Sequence, residues 1–215
     1  MELEFCSEGF RKVPEAIEAG IDRVELCLDL RAQGLTPPLE IIEKTVEYCH
    51  QYDVTVATMV RPKADGFVFD FDYPDKLLEE VAWVVKTDTD SIVLGCLTSD
   101  NLLDIDLLAA VSDLVDRRCE LVFHNAFNQI IIHRPEYIEE ALSQLIDLGY
   151  VRLLTHGGNT QNSVLENAEN FKKIHNFVNG RMQIMAGGGV SWKNINQIDQ
   201  ALKLDAYHGT QIVRI

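Results

Sequence analysis

Two stretches near the start of the chain, Leu3-Glu4-Phe5-Cys6 (LEFC) and Arg23-Val24-Glu25-Leu26-Cys27 (RVELC), share one pattern: a glutamate, a large apolar residue and a cysteine. Side chains alternate along a β-strand, so Glu4 and Cys6 lie on one face of the first strand and Glu25 and Cys27 on one face of the second. Phe5, Val24 and Leu26 occupy the reverse faces and need a covering layer. The carboxylates and thiols then look into the space that the strands enclose. A carboxylate there is costly without cations, donors or a metal beside it.

Outward from these strands, apolar segments alternate with amphipathic ones along the whole chain. The strand-like segments fall at roughly 2–6, 22–27, 53–60, 91–97, 119–124, 151–155, 182–186 and 205–208. Helical periodicity occupies roughly 12–19, 38–51, 74–86, 105–116, 136–148, 163–178 and 192–203. Eight strands, each but the last followed by a helix, predict parallel βαβ units. An open doubly wound sheet usually has five or six strands and gives no reason for eight. The expected fold is therefore α/β, a single-domain (β/α)8 TIM barrel over residues 1–215, with the eighth helix short or absent.

Local signals agree with this register. Pro14 and Pro135 stand near helix starts, Ser191 is the expected N-cap of the last helix, and Gly20 and Gly149 follow helix ends. The segments EAGIDRVEL (18–26) and DLGYVRLLT (147–155) each place a glycine, two further residues and an arginine at a strand entry, in the second and sixth units. A half-barrel duplication would place them so, although helix-glycine-strand joints are also common.

Composition narrows the function. Lys plus Arg number 19 against 34 Asp plus Glu, a formal charge of −15 that repels phosphate backbones and anionic lipid surfaces. Nucleic acid and membrane are not expected partners. Five cysteines without a C-x-x-C, and an N-terminus lacking a basic flank and apolar core, fit a cytoplasmic protein with free thiols.

Alternation on the other strands puts Arg61, His124, His156 and His208 at C-terminal strand ends, the rim where barrels keep their sites. Singly, each has a structural explanation: Glu4 and Glu25 as partners of Arg61, each cysteine as a small apolar filler. Together they are hard to explain by packing. Cys49, at a helix end, and Cys119, at a strand start, read as structural. The segment MAGGGVSWKN (185–194) brings Gly187, Gly188 and Gly189 out of the seventh strand into a helix, a place where backbone N–H groups can approach an anion, with Arg61 as the expected cation. A tight loop needing positive φ would look the same.

The order of these pieces resembles the copper homeostasis protein CutC family. The resemblance rests on LEFC (3–6), AGIDRVELC (19–27), GLTPP (34–38), MVRPK (59–63) and LVFHNAF (121–127). It continues through QLIDLGYVRLLTHGG (144–158), QIMAGGGV (183–190) and YHGT (207–210), almost end to end. It implies a cytosolic TIM barrel associated with copper handling, a homodimer or larger homo-oligomer. Glu4, Cys6, Glu25, Cys27, Arg61, His124 and the glycines at 187–189 match the family pattern. The chain departs from it at the mouth, where Asn125 and Asn128 stand in place of Arg and Asp, and His156 in place of Ser.

Two chemistries follow, with a third as a variant. In the first, Cys6 and Cys27 hold a copper ion as Cu(I), because soft thiolates select it. In the second, the mouth is the active site of an enzyme for a small phosphorylated or carboxylated anion. Gly187–Gly189 and Arg61 would hold the anion, and Glu25 or His124 would act as general acid or base. A non-catalytic sensor would use the same pocket, with Glu4, Asn125, His156 and His208 as the remaining mouth residues.

Overall fold

The computed structural model describes residues 1–215. All eight expected strands are present: β1 (Glu2–Glu8), β2 (Arg23–Cys27), β3 (Thr55–Met59), β4 (Ser91–Leu94), β5 (Glu120–Phe123), β6 (Tyr150–Thr155), β7 (Gln183–Ala186) and β8 (Ala206–Gly209). They pair in parallel, each with its sequence neighbours, and β8 closes on β1 to complete the barrel. Helices fill the crossovers: α1 (Val13–Glu18), α2 (Leu39–His50), α3 (Tyr73–Val84), α4 (Ile105–Val115), α5 (Phe127–His133), α6 (Ile138–Asp147), α7 (Ala168–Val178) and α8 (Ile195–Leu202). No helix follows β8. No helix is long and apolar enough to cross a membrane.

The two faces of the strands separate as the alternation requires. Phe5, Val24 and Leu26 belong to a layer of 52 buried apolar residues between barrel and helices. Each fully buried aliphatic or aromatic side chain contributes about 1.5–3 kcal/mol, so this layer supplies most of the driving force. Cys6, Cys27, Ala57, Met59, Val93 and Val122 form a separate cluster inside the barrel.

The ends of the helices show where local signals mislead. A helix at Phe127–His133 was not expected; its N-cap, Ala126, offers no side chain to the free N–H groups, so no capping residue marks its start. Pro135 opens a short 3-10 turn (Pro135–Tyr137) before α6. Ser191 does not cap α8: Asn194 occupies that position, and its Oδ1 accepts from Ser191 N at 2.8 Å and Ser191 Oγ at 3.2 Å. Gly20 and Gly149 do end α1 and α6 in the left-handed region, with φ of 89° and 85°.

Candidate functional site

Register brings the two strands of the opening motif and the last strand together. Cys6 pairs with Glu25 across β1 and β2, and Glu4 with Arg23; on the other side of β1, Glu4 pairs with His208. Glu4, Arg23 and Glu25 are almost wholly buried and His208 is 8% exposed. Arg23 Nε donates to Glu4 Oε2 at 2.7 Å, and His208 Nδ1 meets Glu4 Oε1 at the same distance. The far nitrogen of His208 lies 4.0 Å from Glu25 Oε1. Cys6 Sγ donates to Glu25 Oε1 at 3.6 Å, and Cys27 Sγ to the carbonyl of Ser7 at 3.5 Å.

Charge in this network is set by the partners. Burial alone would raise Glu4, but the hydrogen bond from His208 and the nearby Arg23 hold it at about 2, so it stays a carboxylate. Burial would lower His208, yet Glu25 and Glu4 on either side carry it up to about 9. Glu25 is raised to about 6, chiefly by desolvation. Cys6 is pushed well above the usual thiol range by its neighbour Cys27, by burial and by Glu25. One oxygen of Glu25, Oε2, is buried without any hydrogen-bond partner. A buried unpaired carboxylate oxygen is rare enough to mark a place where a proton, a donor or a cation belongs.

The partner of Glu4 is thus Arg23 with His208, and not Arg61. Period two, which turns Glu25 inward, turns Arg23 inward as well. In the related segment of the sixth unit, Arg152 also enters the barrel, where it pairs with Glu2. The two glycine-arginine joints therefore do the same work, each sending a guanidinium to a glutamate of β1.

Arg61 corrects a second expectation. Its Nη1 donates to the carbonyls of Ala32 and Gly34 at 2.7 and 3.2 Å, and its Nη2 to those of Ala64 and Gly66 at 2.6 and 3.4 Å. Every terminal N–H is spent on tying two loops together, and only Nε is left without a partner. Arg61 thus braces the mouth loops through both terminal nitrogens, in place of the free fork expected for an anion.

His124 lies buried just after β5. Burial, with Arg61 close by, drives it down to about 3, so the ring is neutral. Its Nδ1 accepts from the backbone N–H of Ala126 at 3.2 Å, which leaves the proton on Nε2. His156 is tied on both sides, by Nδ1 to the carbonyl of Gly187 at 2.9 Å and by Nε2 to that of Asn162 at 2.8 Å. Asn125 and Asn128 face each other, Nδ2 of Asn128 donating to Oδ1 of Asn125 at 3.2 Å. Asn128 Oδ1 accepts from Thr155 Oγ1, His156 N and Gly158 N, so that residue fixes the loop after β6 instead of moving protons.

A cavity of about 880 Å³ opens at the C-terminal end of the barrel, lined among others by Cys6, Glu25, Cys27, His124, His208 and the loop at Gly188–Gly189, whereas Glu4, expected at the mouth, lies beneath it with Arg23. Cys6, Glu25 and His208 each present a ligand atom to it, and these atoms lie within 4.8 Å of one another. Cys49 packs in the outer apolar layer and Cys119 against its edge, away from the mouth. Sequence reasoning placed the thiols, Glu25 and His208 at this mouth but gave His208 no ligand role. Its position one residue from the end of β8 was the available signal.

A closed parallel barrel of eight strands with helices in the crossovers defines a TIM-barrel protein, and this one carries soft and acidic donors at its C-terminal mouth. The chain belongs to the CutC family, whose model matches residues 1–213. A family protein CutC from Streptococcus pyogenes serotype M6 is 37% identical over 215 residues, covering 98% of this chain and 99% of that one. The human copper homeostasis protein cutC homolog is 30% identical, over 96% of this chain and 71% of its own length. The crystal structure of CutC from Streptococcus agalactiae superimposes with a TM-score of 0.93 at 32% identity, covering 99% of this chain and all of that one.

Proposed function

We propose that this protein serves copper homeostasis by holding Cu(I) as cargo at the barrel mouth, on the sulfurs of Cys6 and Cys27 with His208 Nε2 as the nitrogen donor. The observation that carries the proposal is the cluster of Cys6, Glu25 and His208, with ligand atoms within 4.8 Å, beside which Cys27 packs with Cys6 inside the barrel. Thiolate and imidazole suit Cu(I), whereas a hard cation would want more oxygen than one carboxylate gives. Loading exchanges protons for metal: each thiol loses its S–H proton as the sulfur–copper bond forms. Glu25, already the acceptor for Cys6, is placed to receive that proton and pass it to solvent.

The names of the relatives, which include copper homeostasis, support the same reading. The enzyme alternative is less favoured because the terminal nitrogens of Arg61 are taken by backbone carbonyls. X-ray absorption at the copper edge of the Cu(I)-loaded protein tests the proposal. Sulfur scatterers with a single nitrogen are expected, and a shell of nitrogen and oxygen alone would contradict it.

A further inference from the structure

The mouth cavity has a lining at odds with the rest of the protein. The chain has 34 Asp and Glu and a formal charge of −15, yet of the 31 residues around the cavity only Glu25 carries a carboxylate. Amides, hydroxyls and imidazoles take the places that acids hold elsewhere, among them Asn125, Gln129, Asn162 and Gln197. A concavity cleared of negative charge in an acidic protein suits an anionic occupant.

Three successive backbone N–H groups face such an occupant. Gly187 N donates to the carbonyl of Thr155 at 2.9 Å and Ser191 N to Asn194 Oδ1 at 2.8 Å, but the N–H groups of Gly188, Gly189 and Val190 between them have no partner in the protein. All three residues line the cavity. Gly188 and Gly189 adopt φ of 87° and 79°, the left-handed region that glycine enters freely, so no side chain stands between their N–H groups and the cavity.

An independent donor belongs to the same space. His124 is 4% exposed and lines the cavity, and with Nδ1 accepting from Ala126 its proton sits on Nε2, which has no protein partner. That N–H belongs to a residue of the cavity wall and is available to an acceptor placed there. Backbone donors after β7 and a side-chain donor after β5 therefore ask for an occupant rich in acceptors at two points. About 880 Å³ is in the range of small-molecule sites.

We propose that the cavity binds a small phosphate monoester, with the phosphate on the N–H groups of Gly188, Gly189 and Val190 and a carbonyl or hydroxyl oxygen of the same molecule accepting from His124 Nε2. The site is built from neutral donors and uses neither the thiols nor Arg61.

Inorganic phosphate is the probe. Gly188 is the wrong place to perturb, because a Cβ there would run into the His156 ring. Gly189 is open: a Cβ meets nothing within 4 Å. Asn and Asp both tolerate positive φ, so Gly189→Asn and Gly189→Asp differ in charge alone at the anion position. Melting temperature is measured in phosphate against chloride at equal ionic strength. The proposal expects phosphate to raise it for the parent protein and Gly189→Asn, with the rise lost in Gly189→Asp. Amide resonances of the parent protein are followed in parallel, and Gly188, Gly189 and Val190 should move on phosphate titration. Absence of a rise in the parent protein, an equal rise in Gly189→Asp, or amide shifts confined to other loops would overturn the proposal.

Discussion

His208 Nδ1 lies 2.7 Å from Glu4 Oε1, joining the last strand of the barrel to the first through a buried ion pair. The pair reinforces the seam between β8 and β1, where four residue pairs are in register. It also fixes which nitrogen of His208 faces the mouth.

Stability should therefore fall on the alkaline side. His208 is raised in the folded state to about 9 from 6.5, so its contribution is complete below 6.5 and is lost as pH rises through 9. Urea midpoints of the parent protein should be lower at pH 9 than at pH 6.5, and His208→Gln should remove most of that difference. Equal slopes in both proteins would refute the assignment. Glu4 acts at the other end: its folded value of about 2 against 4.5 gives stability that is present above 4.5 and lost as pH falls toward 2.

Removing Arg23 should be among the most damaging single changes in the lumen. Its side chain and that of Glu4 are 3% and 0% exposed, so Arg23→Ala leaves Glu4 with one cationic partner in place of two. Breaking a buried pair from one side costs roughly 3–5 kcal/mol, while replacing both members by apolar residues of similar size is often close to neutral. Denaturant unfolding should show a large loss for Arg23→Ala and a smaller one for Arg23→Met with Glu4→Leu.

Gly95 holds the seat of the His124 ring. An added Cβ would collide with Nδ1 and Cε1 of His124 and sit 2.9 Å from Ala126 Cβ. Gly95→Ala should cost about 1–3 kcal/mol through overpacking. The His124 ring resonances should shift in that variant, and an unchanged ring environment would show that the contact relaxes elsewhere.

Much of the fold was legible because strand-like segments alternate with helical periodicity along the whole chain. The inward turn of Glu4, Cys6, Glu25 and Cys27 followed from Phe5, Val24 and Leu26 needing cover. What the sequence did not reveal was pairing. Arg61 sits at a strand end like any mouth residue, and only the folded loops show four carbonyls closing on it. Arg23 lay in the quoted motif itself, but its partner is 19 residues away across the register. Likewise α5 was missed because no cap residue announces it, and Ser191 was taken for a cap when Asn194 holds that place.

Copper uptake should tighten as pH rises. Cys6 lies well above its ordinary range and His208 at about 9, so both donors carry protons at neutral pH that the metal must displace. Competition titrations with a Cu(I) probe ligand at pH 6, 7 and 8 should give a steadily higher apparent affinity. A flat profile would mean that these groups do not bind the metal.

The most direct test of the central claim is Cu(I) stoichiometry under anaerobic competition, comparing the parent protein with Cys6→Ser/Cys27→Ser and with Cys49→Ser/Cys119→Ser. One tightly held Cu(I) per chain is expected in the parent and in the second variant, with at least about a hundredfold weaker binding in the first, since a hydroxyl is a poor ligand for a soft ion. Unchanged uptake by Cys6→Ser/Cys27→Ser would contradict the assignment of copper to the barrel mouth.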